Sequence, residues 1–272
     1  MTAAFFLLLH SLKRSRTLLL TTGVLIAGFQ VMLVIIARSM HRSGTFAQLA
    51  AMLPPFVRAI FGPSLTSFMS FAGIVSVGYI ELAVIGALLA ISISTATIPV
   101  SEIESGFLDL ILSRPLARHW IVTRTIAALL LSVALLVGMM MAGTWLGLET
   151  LAPDDAAWPP VKLVLELGVN LGLLALSWGG VGVLLGSVSQ RRRVATGIAG
   201  LLALTSYLLD YTARLWKPAE SVVWLSPFHY YTPFDLVMGN PLPLKNLMVL
   251  AGIAVTGFMA AYVLFSRRDI SH

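Results

Sequence analysis

Residues 101–118 read SEIESGFLDLILSRPLAR, a short acidic segment between two long apolar runs that holds three of the chain's twelve acidic residues. What it can be depends on its surroundings. Of 272 residues, 58% are hydrophobic and only 11% are charged, against about 25% charged in an ordinary soluble domain, and the mean hydropathy is +0.91. A soluble fold of this length cannot bury so many apolar side chains. Apolar runs of about 20 residues, in contrast, match a hydrocarbon core ~30 Å thick. A β-barrel would need ~10-residue segments of alternating polarity, and none are present. The composition predicts an all-α membrane protein, with residues 1–272 forming one transmembrane domain.

Six spans can be drawn, at about 18–37, 71–98, 120–146, 163–188, 194–211 and 247–265. One set of connections holds Lys13, Arg14, Arg16, Arg114, Arg118, Arg124, Arg191, Arg192, Arg193, Arg267 and Arg268, which is eleven of the eighteen Lys and Arg. The remaining seven are spread thinly over longer segments. The positive-inside rule then places the first set, and both termini, in the cytoplasm. The formal charge of +6 is accounted for by these clusters at span ends, and nucleic acid is not an expected partner; the lipid bilayer is.

Before the first span, Phe5, Leu8, Leu9 and Leu12 recur at helical spacing ahead of a basic cluster, so residues 2–16 are expected to form an interfacial helix. On the outer side lie two long segments, 38–70 and 212–245. The second carries Trp216, Trp224, Phe228, Tyr230, Tyr231 and Phe234, read as an interfacial aromatic belt. The fourth span contains Gly168, Gly172, Gly179, Gly180, Gly182 and Gly186. That pattern suits a helix packed closely in the interior or at a subunit interface.

The acidic segment itself reads as a helix over about 101–114. Ser101 and Glu104 have capping-box spacing, Glu102 and Glu104 suit the positive end of the helix dipole, and Pro115 ends the run. At 100° per residue Glu102, Gly106, Asp109 and Ser113 share one face, and Ile103, Phe107, Leu110 and Ile111 another. A helix lying in anionic headgroups is usually basic, so the acidic face points to a protein partner.

The run Glu102, Gly106, Phe107, Leu108, Asp109, Leu110, Ile111, Leu112, Ser113, Arg114, Pro115, Leu116, Arg118 resembles the coupling-helix signature of ABC-2 type ABC transporter permeases. Phe107 stands where the family more often has Thr. The stretches SPFHYYTP before the last span and FSRRDI after it are also similar to the family, as is the order of elements along the whole chain. The resemblance implies six transmembrane helices, an N-terminal interfacial helix and a short cytoplasmic coupling helix between helices 2 and 3. It also implies a permease of the inner (cytoplasmic) membrane that assembles as a homodimer with two copies of a separate ABC ATPase. ATP and Mg would sit on that ATPase, and Glu102, Glu104, Gly106, Phe107, Asp109, Ser113 and Arg114 would form the ATPase-coupling surface. No phosphate-loop motif is found in the chain, so this subunit is expected to be no enzyme and to bind no cofactor.

Glu81, about ten residues into the second span, is the candidate pathway residue, because an ionisable group at that depth costs ~2.5–3.5 kcal/mol on insertion scales. It either lines a pathway or is a protonated acid bonded between helices. Asp210 and Glu166 fall near the outer boundary and are assigned no role. No metal is expected, since His10, His41, His119, His229 and His272 lack ligand spacing. The hydroxyls of Ser92, Ser94, Thr95 and Thr97 read as helix-packing groups. Two other readings stay open: a membrane subunit relaying ATPase motion to an outer-face partner, and a motor-free secondary transporter or channel using Glu81.

Overall fold

The computed structural model describes residues 2–44, 67–105 and 119–267, with side chains from Arg16 onward. Among the described residues six helices are long and apolar enough to cross a membrane: Arg16–Arg42, Phe71–Ala96, His119–Leu151, Val161–Val188, Arg192–Ala213 and Leu244–Arg267. The shortest, at 22 residues, reaches about 33 Å at 1.5 Å per residue. They are called spans 1–6 below. No strand occurs among the described residues.

Contacts at the helix ends define two faces. The start of span 3 meets the end of span 6 through Thr123 and Tyr262, whose hydroxyls lie 2.7 Å apart. The start of span 5 meets the end of span 2 through Arg192, which donates to the Ser94 carbonyl at 3.1 Å. Span 1 begins on this side and span 6 ends on it, so it is the termini face. On the opposite, distal face the end of span 1 meets the residues after span 3, with His41 Nε2 3.1 Å from Asp155 Oδ2. This hydrogen bond holds the Asp155 carboxyl below the ordinary carboxylate range.

Three sequence expectations change. The first helix runs unbroken from Thr2 to Arg42, so residues 2–16 extend span 1 and are not a separate interfacial helix. Neither Gly nor Pro occurs among them to end a turn. Span 2 is two helices, Phe71–Ile80 and Leu82–Ala96, interrupted at Glu81. The helix after it is Ile98–Glu104, with Pro99 in its first turn, a position where proline's missing N–H costs nothing. Ser101 therefore lies inside a helix that began one turn earlier, and the capping box does not form. Residues 106–118, with the rest of the expected coupling helix, lie outside the described residues.

Span 4 is the central helix. Leu167, Leu171, Leu174 and Ala175 are all fully buried, and its glycines face the interior of the chain. A Cβ on Gly180 would lie 2.7 Å from the Ala254 carbonyl oxygen, and one on Gly257 2.6 Å from the Gly180 carbonyl carbon. Spans 4 and 6 thus touch backbone to backbone, the close approach that small residues permit in lipid. Spans 1 and 3 do the same where Gly143 meets the Ala27 backbone. Span 5 is seated differently: its buried positions are Ala195, Ala199, Ala203, Asp210 and Ala213, Tyr207 and Leu209 are partly buried, and Val194, Ile198, Leu201, Leu202, Leu204, Leu208 and Tyr211 are exposed.

Overpacking a tight interior costs about 1–3 kcal/mol, equivalent to roughly 2–10 °C in a domain of this size. Gly257→Ala is expected to lower the apparent Tm of the detergent-purified protein by that amount. Gly252→Ala, on the same helix with nothing within 4 Å of the added carbon, is expected to leave it unchanged. Thermal unfolding followed by size-exclusion fluorescence reads both.

Candidate functional site: a broken span between a buried ion pair and a distal cavity

At the termini face the Ile98–Glu104 helix continues from span 2 through Thr97, whose hydroxyl donates back to the Ile93 carbonyl at 3.0 Å. Glu102 turns inward and is 4% exposed. Its carboxylate accepts from the guanidinium of Arg124, itself buried about 8 Å along span 3 by helix rise. Two changes explain why Glu102 leaves the expected solvent-facing side: the helix starts earlier, and a cation waits on the neighbouring span. A buried charge persists only when it is paired. Glu104 is exposed. Gly106, Phe107, Asp109, Ser113 and Arg114 lie outside the described residues. Arg192 adds a second tie, donating to both the carbonyl and the hydroxyl of Ser94 at 3.1 and 3.0 Å. The end of span 2 and the connecting helix are thereby fastened to the starts of spans 3 and 5.

Glu81 sits about 15 Å from the distal start of span 2, near mid-membrane. Its backbone leaves the helical region (φ −63°, ψ 124°). Its N–H closes the first half on the Val77 carbonyl, and its carbonyl opens the second by accepting from Ile85 N–H, both at 3.0 Å. The carbonyls of Gly78, Tyr79 and Ile80 and the N–H groups of Leu82, Ala83 and Val84 lose their intrahelical partners. One loose group is recovered by Tyr231, whose hydroxyl donates to the Tyr79 carbonyl. The Tyr79 phenol meets Thr144 of span 3 at 3.1 Å. One turn before the break Gln30 of span 1 is fully buried against Gly78, with neither amide atom hydrogen-bonded. The Glu81 side chain is partly exposed.

Tyr231 reaches this depth because the segment after span 5 folds back into the bundle. Ser226, fully buried, donates to the Ser206 carbonyl at 2.9 Å and receives the Ser206 hydroxyl at 3.0 Å. Phe228 packs between Trp178 and Tyr207, with ring centroids 6.0 and 5.5 Å away. The expected aromatic belt is therefore divided. Trp216, Trp224 and Phe234 remain exposed, while Phe228 and Tyr231 are interior.

Asp210 was assigned no role from the sequence, yet it is 7% exposed. It bonds Arg214 one turn on at 2.8 Å, with His229 Nδ1 3.9 Å away. The i, i+4 spacing of Asp210 and Arg214 was the available signal. Both residues line a distal cavity of about 390 Å³ and a second of about 250 Å³ that reaches Ile80 and Leu82 at the break. Among the described residues no group of His, Asp and Glu is placed to hold a metal ion.

Removing one partner of a buried ion pair costs about 3–5 kcal/mol, because the other charge is left unpaired, whereas replacing both with apolar groups is often neutral. Glu102→Met and Arg124→Met are each expected to lower the apparent Tm by about 10 °C. The double variant should recover most of that loss. A thermal double-mutant cycle with additive losses would mean the two side chains do not depend on each other.

No protein-family model matches the chain, and no curated protein sequence does either.

Proposed function

We propose that the chain is the transmembrane permease subunit of an ATP-driven ABC-2 type transporter, an exporter of the cytoplasmic membrane with both termini inside. It would work as a homodimer with two separate ATPase subunits that carry ATP and Mg. The observation that supports this reading best is the mechanical line from the connecting helix to mid-membrane. A force on Ile98–Glu104 passes into the Leu82–Ala96 half of span 2, which packs on spans 3 and 4, and stops at the break. The other half, Phe71–Ile80, packs chiefly on span 1. In this reading Glu102 anchors the lever and is not a contact. Exposed Glu104, followed by Gly106, Phe107, Asp109, Ser113 and Arg114, meets the ATPase. The permease supplies a pathway and a lever and performs no chemistry.

The break itself favours a second reading. Interrupted spans with an ionisable residue at mid-membrane are the form that ion-coupled transporters give their binding sites, and Glu81 would then be a proton or cation site in a motor-free carrier.

Affinity purification from native membranes, with mass spectrometry of what co-purifies, distinguishes the two. An ABC ATPase is expected at one copy per permease. Pairing Glu104→Lys with Asp109→Lys should cut its recovery at least tenfold, since like charges at a contact cost several kcal/mol, while permease abundance is unchanged. Purification without any ATPase, together with proton-driven transport in proteoliposomes that Glu81→Gln abolishes, would replace the exporter reading with the second.

A further inference from the structure

The two distal cavities share Asp210, Arg214, Tyr231 and Phe234, so they form one cleft that changes character with depth. Toward the membrane its wall is apolar and aromatic: Ile80, Leu82 and Ile85 from both sides of the break, with Tyr207 and Phe228 opposite. Toward the distal face the wall is charged, with Glu220 and Asp235 joining Asp210 and Arg214. His229 also lines this wall; with its imidazole neutral, three carboxylates against one guanidinium leave two net negative charges, and with it protonated, one. Arg214 is taken by Asp210 at 2.8 Å, while Glu220 and Asp235 form no ion pair among the described residues. Thr232, also on this wall, has a buried hydroxyl with no hydrogen-bond partner.

We infer that this cleft binds a lipophilic monocation, an amphiphile whose apolar body lies against the aromatic wall and whose charge faces Glu220, Asp235 and Asp210. Each wall selects for that chemistry separately. Aromatic faces attract cations within about 6 Å, most strongly when the cation is desolvated. The surplus carboxylates reject an anion of the same shape. Cavities of about 390 and 250 Å³ fall within or just below the usual range for small-molecule pockets, about 300–1,000 Å³. As the site of the transported substrate the cleft rests on the exporter reading. As a binding site it does not.

The test uses the full-length permease in nanodiscs without any ATPase. Tetraphenylphosphonium is the probe, and tetraphenylborate, of nearly the same shape and opposite charge, is the comparison. Saturable binding of the cation is expected, with no competition from the borate at equal concentration. Glu220 and Asp235 are exposed and their carboxylates form no ion pair among the described residues, so Glu220→Gln with Asp235→Asn should fold normally and weaken the Kd about tenfold. Asp210→Asn should weaken it as well. Glu149→Gln, an exposed acid on the same face outside the cleft, should leave it unchanged. Absent or non-saturable binding, equal competition by the borate, or equal weakening by Glu149→Gln would each overturn the assignment. If the cation binds as expected but no ATPase co-purifies, the exporter reading fails and the site stands. If the ATPase co-purifies and the cation does not bind, the reverse holds.

Discussion

A peptide group in hydrocarbon has no water to bond, so a helix that ends halfway through a bilayer must find protein partners for its loose carbonyls and N–H groups. Span 2 ends in that way at Glu81, and much of the distal half of the molecule is organised around the consequence. The segment after span 5 returns into the bundle, fixed by the Ser206–Ser226 pair and by Phe228 between Trp178 and Tyr207. It thereby brings the Tyr231 hydroxyl to the Tyr79 carbonyl. Without that return, the Tyr79 carbonyl would lose its partner, at several kcal/mol.

The break also divides labour along a single span. One half is held by span 1 and the distal segment, the other by spans 3 and 4 and the connecting helix. Glu81 at the joint is bonded once to each half, through its N–H to Val77 and its carbonyl to Ile85, and an element-terminal residue of this kind is where large φ/ψ changes are absorbed locally. The buried Glu102–Arg124 pair works in the opposite sense. It makes the connecting helix and the base of span 3 move as one, because separating them strands a charge.

The six spans were legible because their signal is local: a run of apolar residues between polar ends. Span 4, expected at 163–188, is observed as Val161–Val188. Span 3, expected to stop at 146, continues to Leu151, since Glu149 and Thr150 end the apolar run but not the helix, which stops only before Pro153. What was not legible depends on partners far away in the chain. No glycine or proline at 81 announces the break, and the hydroxyl that covers the Tyr79 carbonyl lies 152 residues on from Tyr79, in Tyr231. Glu102 reads as a solvent-facing acid until Arg124, 22 residues later, is placed beside it. Asp210 and its cavity require the folded-back segment, which composition presents only as a row of interfacial aromatics.

Span 5 has one more property, which follows from its seat on alanines four residues apart. A methyl is the smallest knob a side chain can offer, and three in register make a nearly smooth ridge. Sliding the helix by four residues, about 6 Å along its axis, would put Ala195 where Ala199 now lies and Ala199 where Ala203 lies. The alanine ridge alone is nearly indifferent to such a step, but the rest of the helix is not: Arg191 would come to the place of Ala195, and Ser206 to that of buried Asp210. Spans 4 and 6, locked backbone to backbone at Gly180 and Gly257, have no equivalent second position. The register of span 5 is therefore chosen at its two ends and not by its smooth middle: Arg192, bonded to Ser94, is the bolt at one end and the Ser206–Ser226 pair the bolt at the other.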